Sequence, residues 1–336
     1  MKTSVRFVLL LLLAGTAGAQ ELRVASLGDF KLVNGEVIRD CRVGYRTFGQ
    51  QNADQSNVVV FATWFRGTSK DLIDLIGPGK LVDSSRYYVI AIDALADGVS
   101  SSPSNSRAQL HMKFPKIAIR DMVNSQHQLL TDVLHLQHVK AVMGISMGGM
   151  QSFQWMVSYP DFMDKVIPIV GSPKLAAYDI TLWKAENDSI MRNPAWNNGD
   201  YMDNPVPVSA LGIDSLALVT PTKYNRDHTR EQALTGRAIQ SEAFDANNHI
   251  RQSEAMMGLD VSDAFSGSME RAAAAVKAKV LVVVNDTDHM VTPGPALDFA
   301  RLLHADVLEL NNDCGHLLLD CEYKRVAGRI AAFLSQ

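Results

Sequence analysis

Cysteine is scarce: Cys41, Cys314 and Cys321 are the three in 336 residues. That number cannot frame a disulfide scaffold, and none sits in a CxxC pair of the kind that marks zinc or redox sites. Cys314 and Cys321 could pair with each other, or one of them with Cys41, and at least one thiol stays free. Basic runs are also missing. Lys and Arg number 32 against 36 Asp and Glu, with no polybasic segment, so the chain lacks the cationic stripe that replaces counterions on a nucleic acid. Low-complexity tracts, heptads and collagen-like periods are absent, which excludes fibrous and disordered classes. The close histidine pair His135 and His138 has no cysteine or carboxylate beside it in sequence and reads as a surface turn rather than a metal site. No apolar run approaches the ~20 residues that span a bilayer.

The longest apolar run opens the chain. Lys2 and Arg6 precede the run from Phe7 to Ala14, and Ala17-Gly18-Ala19 follow it. This order of charged, apolar and small residues predicts a cleaved secretory signal over residues 1–19, with the mature chain beginning near Gln20. The expected location is secreted or periplasmic, without a retained membrane anchor. Cleavage removes two cations and leaves a more acidic protein.

Beyond the signal, short β-branched apolar runs alternate with amphipathic segments, the pattern of a mostly parallel sheet with crossover helices. The strand candidates are Val58 to Ala62, Tyr87 to Ile92, Val139 to Met143, Val166 to Val170, Lys279 to Val284 and Ala305 to Leu310. Helix candidates are Asp71 to Ile76, Ile117 to Leu134, Gln151 to Tyr159, Pro295 to Leu303 and Asp320 to Leu334. Between about Leu175 and Gly267 the strand signal vanishes, and Asp179 to Met191, Ser209 to Val219 and Arg230 to Met257 read as helices. We therefore expect an α/β core over residues 20–174 and 268–336, interrupted by a helical cap over 175–267.

Gly144-Ile145-Ser146-Met147-Gly148 follows the run Val139 to Met143 and opens an amphipathic helix. A serine at a sharp strand-to-helix turn needs small residues two before and two after it, because strand and helix pass close together. Gly144 and Gly148 meet that need. The turn also aims the Met147 N–H and the positive helix end at a developing oxyanion. Serine becomes a useful nucleophile when a histidine takes its proton and a carboxylate orients that histidine. In this architecture the acid and then the histidine follow the serine, on loops at the carboxyl ends of later strands. Asp286 and Asp288 both follow the strand from Lys279, and His316 follows the strand ending at Leu310. His127, His135, His138 and His304 lie on helices or short connectors, and His289 adjoins the acid.

With these residues in view, the chain resembles the homoserine O-acetyltransferase branch of the α/β-hydrolase fold, from about Arg42 to His316. Gly77-Pro78-Gly79-Lys80, Phe114-Pro115 with Ile119-Arg120-Asp121-Met122, Ser146-Met147-Gly148-Gly149-Met150-Gln151, Asn198-Gly199-Asp200-Tyr201 and Phe244-Asp245-Ala246-Asn247 are similar to that family's distinctive segments. The resemblance implies a triad of Ser146, Asp288 and His316, with Asp288 favoured over Asp286 because a short apolar stretch and Pro293 follow it. It also implies that Thr63-Trp64-Phe65-Arg66-Gly67 is the oxyanion loop, so that the Phe65 N–H joins that of Met147. The side chains of this loop depart from the family's His-Ala-Leu-Thr-Gly. Ala96 to Ser104 replaces a Gly-Gly-Cys-x-Gly-Ser-Thr-Gly-Pro stretch. Leu317 stands where the family has an aspartate after its histidine, and Asn187 where it has an arginine, two charged residues that the family's acceptor pocket uses.

The expectation is therefore a serine hydrolase that cleaves an ester or related acyl substrate through an acyl-Ser146 intermediate, without cofactor or metal. The alternative is an O-acyltransferase that moves an acetyl or similar group from acyl-CoA to an alcohol. Trp64, Phe65, Trp183, Trp196, Met256 and Met257 are candidates for an apolar pocket. The acyl chain, the alcohol and a homodimer stay open.

Overall fold

A computed structural model describes residues 21–205, 208–235 and 244–336. The predicted signal over 1–19 lies outside them, as do parts of the predicted cap segments. Eight strands form one sheet in the order β1-β2-β4-β3-β5-β6-β7-β8 among the described residues. They are β1 (Arg23–Lys31), β2 (Val37–Phe48), β3 (Val58–Ala62), β4 (Tyr88–Ile92), β5 (Val139–Ile145), β6 (Met163–Ile169), β7 (Lys279–Asn285) and β8 (Asp306–Leu310). From β4 to β8 neighbouring strands run parallel, while β1, β2 and β4 pair antiparallel.

All of β3 is buried. A parallel strand covered by helices on both faces must be apolar at every position, which is why these strands read as continuous runs. Alternate residues divide between the two faces: Val58, Val60, Ile90, Val142 and Val282 pack on one, and Val59, Phe61, Val89, Met143 and Leu281 on the other.

The helices are α1 (Ile119–Gln128), α2 (Met147–Ser158), α3 (Ala177–Met191), α4 (Val208–Leu218), α5 (Pro221–Asp227), α6 (Arg230–Thr235), α7 (Ala246–Met257), α8 (Met269–Ala275), α9 (Gly294–Leu303) and α10 (Leu318–Ser335). Met122 of α1, Phe153 of α2 and Phe299 of α9 fill one face of the sheet. Val326, Ile330 and Phe333 of α10 fill the other.

Helices α3 to α7 lie between β6 and β7 in the chain, where strand signal is missing from the sequence. Entry and exit meet: Lys174 bridges Asp260, and the Val261 N–H donates to Pro173 O at 3.1 Å.

Several expectations need correction. The hairpin β1–β2 is an addition to the expected strands. Asp71 to Ile76 is no α-helix but a single tight turn, Ile73–Leu75. The long helix expected from Ile117 to Leu134 ends as α1 at Gln128, and a wider helical turn continues over Leu129–Val133. His138 does have a carboxylate partner, because β6 lies beside β5 and brings Asp164 to 2.9 Å from its Nε2. Among the cysteines, where the pairing stayed open, no correction is needed: Cys314 and Cys321 form a disulfide, and Cys41 is buried and free, in keeping with the one free thiol expected.

Candidate active site

Ser146 stands between the end of β5 and the start of α2 with φ 59° and ψ −120°, a conformation that non-glycine residues rarely adopt. Three contacts enforce it. The Ser146 N–H donates to Ile169 O at 2.8 Å, its carbonyl accepts from Met150 at 3.0 Å, and flanking glycines allow close approach. A Cβ on Gly144 would lie 2.3 Å from the Gly148 backbone, and one on Gly148 would lie 2.5 Å from Ala62 O. Side chains at either position would push α2 off the sheet.

The tight seat of Gly148 joins the first turn of α2 to the end of β3. Gln151 Nε2, also on α2, donates to Thr63 O at 2.9 Å. The loop that carries Phe65 is thereby fastened to the turn that carries Met147.

His316 Nε2 lies 2.8 Å from Ser146 Oγ, and His316 Nδ1 lies 2.7 Å from Asp288 Oδ2. All three side chains are buried. The second oxygen of Asp288 accepts from the N–H groups of Met290 and Val291, at 2.9 and 3.0 Å, which leaves Oδ2 aimed at the imidazole. Asp286 is exposed just past the end of β7, where its charge raises the Glu309 carboxyl of β8. The structure thus brings Asp288 to His316, and Asp286 elsewhere.

His316 is held through its backbone as well as its ring. Its N–H donates to Leu218 O at 2.9 Å, and Asn285 Nδ2 donates to Gly315 O at 2.7 Å. Gly315 has φ 57°, and a Cβ there would meet Leu218 O and Val219 Cα at 3.0 Å. The Cys314–Cys321 bridge closes the same loop onto α10.

Ser146 and His316 open onto a cavity of about 410 Å³. Its walls are largely apolar, from Trp64, Phe65, Ile145, Leu218, Met290 and Leu317, with Asp71, Asp74 and Asp320 also in the lining. Arg66 is the one Lys or Arg in that lining among the described residues, and Asp214 of α4 pairs with it at 2.7 Å. Of the six apolar residues expected here, Trp64 and Phe65 line the cavity. Trp183 and Met256 belong to the main core, Met257 packs against it, and Trp196 sits in a small cluster with Ile190 and Ile250. Helices α3 and α7 turn Trp183, Met256 and Met257 into the core, and Trp196 stands on a tight turn over Pro194–Gly199 away from the cavity lining.

Four residues of this region carry no sequence signal: Glu186 on α3, Asp214 on α4, and His249 and Gln252 on α7. The ring of Phe65 meets His249 edge-on at 4.8 Å and Trp183 at 5.0 Å. His249 Nε2 and Glu186 Oε2 are 3.4 Å apart, both side chains fully buried. Burial and the charge of Asp214 push the Glu186 carboxyl up to about 9, with Arg66 opposing, while burial and Arg66 hold His249 well below its ordinary range. Both shifts favour the uncharged forms. These residues lie far apart in the chain, so only folding reveals their meeting.

Residues 74–322 match the α/β hydrolase fold family. The chain is 28% identical to a homoserine O-acetyltransferase of Methanosalsum zhilinae, over 90% of this chain and 70% of that one. It is 27% identical to an ethyl acetate hydrolase of Pseudomonas veronii, over 87% and 88% of the two chains. Among solved structures, the acetyl esterase MekB superposes with a TM-score of 0.85 at 27% identity, covering 94% of this chain and 97% of that one.

Proposed function

The chain belongs to the α/β hydrolase fold family, in the branch that holds homoserine O-acetyltransferases and acetyl esterases, and on that premise we propose that it is a serine esterase. One observation carries the reading: the unbroken hydrogen-bond chain from Ser146 Oγ through His316 to Asp288, at the edge of a cavity.

In this reading Ser146 Oγ attacks the ester carbonyl carbon while His316 Nε2 takes its proton. Asp288 holds the ring by Nδ1 and stabilises the imidazolium that forms. The Phe65 and Met147 N–H groups receive the oxyanion of the tetrahedral intermediate, where preorganised donors are worth most. The intermediate collapses, the alkoxide leaves with the proton from His316, and an acyl-Ser146 remains. Water, deprotonated by the same imidazole, then repeats the sequence and releases the acid.

Water is the favoured acceptor for reasons internal to the site. Leu317 lines the cavity and Asn187 is buried against Ser253, so neither offers charge to a zwitterionic amino acid. An ammonium and a carboxylate left without partners in a partly dry site cost several kcal/mol. The cavity lining carries Asp71, Asp74 and Asp320, and Arg66, its one Lys or Arg among the described residues, is engaged by Asp214, a balance that does not suit the phosphates of an acyl-CoA donor. The ethyl acetate hydrolase and the acetyl esterase among the relatives suggest short acetyl esters as substrates.

We also propose export through the N-terminal signal. The Cys314–Cys321 bridge suits an oxidising compartment.

The alternative, acyl transfer to an alcohol, shares the acyl-enzyme and draws on the homoserine O-acetyltransferase relative. The test is to incubate the purified protein with acetyl-CoA and homoserine, and separately with a panel of acetyl esters, following products by mass spectrometry. Ester hydrolysis without O-acetylhomoserine is the expected result. Stoichiometric O-acetylhomoserine, formed faster than acetate, would overturn the esterase reading in favour of the transferase.

A further inference from the structure

The Phe65 N–H can serve an oxyanion only if the peptide chain around it is held still, and the residue after it is strained. Arg66 has φ 60°, in the left-handed region that costs a branched or bulky residue free energy and persists only where the surroundings fix it. Two groups from elements remote in sequence hold it, and a third holds the ring beside it.

The Arg66 N–H donates to Gln252 Oε1 at 2.9 Å. The Arg66 guanidinium donates to Asp214 Oδ2 at 2.7 Å and lies 5.2 Å over the Phe65 ring. His249, one turn before Gln252 on α7, packs edge-on against that ring at 4.8 Å. Gln252 is buried, and its Nε2 donates to Leu95 O at 3.2 Å, in the loop after β4. One side chain of α7 therefore ties together the loops that follow β3 and β4, at the carboxyl ends of two adjacent strands, the first of which neighbours the β5 that carries Ser146.

We propose that Gln252 is a positioning residue for the oxyanion loop, an inference that rests on the esterase reading above. By accepting the Arg66 N–H it holds the peptide that follows Phe65, and so steadies the tight turn in which the Gly67 N–H donates to Trp64 O at 3.0 Å, the carbonyl of the peptide that carries the Phe65 N–H. An apolar side chain at 252 leaves the Arg66 N–H buried without an acceptor, and a strained backbone then relaxes toward an ordinary conformation. The oxyanion exists only in the transition state, so the loss falls on kcat and spares substrate binding.

The experiment compares wild type and Gln252→Leu on p-nitrophenyl acetate, with a trifluoromethyl ketone as transition-state analogue and a thermal melt as a check on folding. Gln252→Leu should lower kcat about tenfold to a hundredfold, part of the loss seen when an oxyanion donor is removed outright. KM should stay within threefold, and the analogue should weaken by the same factor as kcat/KM. Gln252→Asn, which keeps the amide but draws it back by one methylene, should show the same pattern; it serves if the leucine variant does not fold. A folded variant with wild-type kcat, or one that loses through KM with unchanged analogue binding, overturns the inference. A wild type that turns over no ester overturns the esterase reading and this inference together, whereas an active wild type beside an equally active variant overturns the inference alone.

Discussion

The backbone N–H of His316 donates to the carbonyl of Leu218, the last residue of α4, at 2.9 Å. The proposed base is thus carried by a loop of the core but held by a helix of the segment between β6 and β7. Gln252 of the same segment holds the loop of Phe65. Two helices of that segment thus fix backbone on which the proposed chemistry rests.

Asp288 and Asp286 are two residues apart and only one reaches His316. Asp288→Asn should lower turnover of p-nitrophenyl acetate by several orders of magnitude, since an amide cannot stabilise the imidazolium and favours the wrong tautomer. Asp286→Asn should stay within about threefold of wild type. Steady-state kinetics on both variants checks this, and equal losses would reverse the assignment.

The disulfide closes a short loop around His316, with Cys314 and Cys321 seven positions apart. Chain entropy for a loop of this size corresponds to about 2–3 kcal/mol of stability. The double variant Cys314→Ser, Cys321→Ser should therefore melt several degrees lower and lose activity with the looser histidine, and dithiothreitol should reproduce both effects in wild type. A wild-type protein indifferent to reductant in melting and rate would show that the bridge constrains neither.

Glu186 and His249 set opposite pH dependences on stability. The Glu186 carboxyl titrates at about 9 when folded and near 4.5 when unfolded, so between those values the folded protein holds a proton the unfolded chain has lost. Its contribution is fully present below about pH 4.5 and is lost as pH rises toward 9. His249, lowered by burial and by Arg66, acts the other way and loses stability as the solution becomes acid. Asp214 and Arg66 also face this pair, Asp214 adding to the rise of Glu186 and Arg66 opposing it. Glu186→Gln removes the alkaline loss, so the melting temperature of the variant relative to wild type should climb from pH 5 to pH 9. A constant difference across that range would show that the carboxyl is not held protonated.

The core was legible because parallel strands buried on both faces must be apolar throughout; Val58 to Ala62 matches β3 residue for residue. Ser146 and His316 were legible because each stands at a strand end where chain order and turn chemistry restrict the choice; those rules left Asp286 and Asp288 both open, and only the family resemblance favoured Asp288, the one that meets His316. The hairpin was not, since exposed charged residues in β1 and β2, among them Arg23, Asp29, Lys31, Arg39, Asp40 and Arg42, break up the apolar run that marks the buried strands. Asp71 to Ile76 has helical composition but forms one turn, because Asp71 is spent on the Thr68 N–H and hydroxyl. Gln252, His249 and Glu186 follow no spacing rule. Their roles arise from contacts between α3, α7 and the loop after β3, which only the folded chain brings together.

Replacing Ser146 and measuring the ester turnover that remains is the most direct test. Wild type should hydrolyse p-nitrophenyl acetate and take up a fluorophosphonate at Ser146, located by peptide mass spectrometry. Ser146→Ala should lose at least about a thousandfold in turnover and all labelling, in line with the loss of a triad member elsewhere. Activity of the alanine variant within tenfold of wild type, or label on another residue, would contradict the assignment of Ser146 as nucleophile.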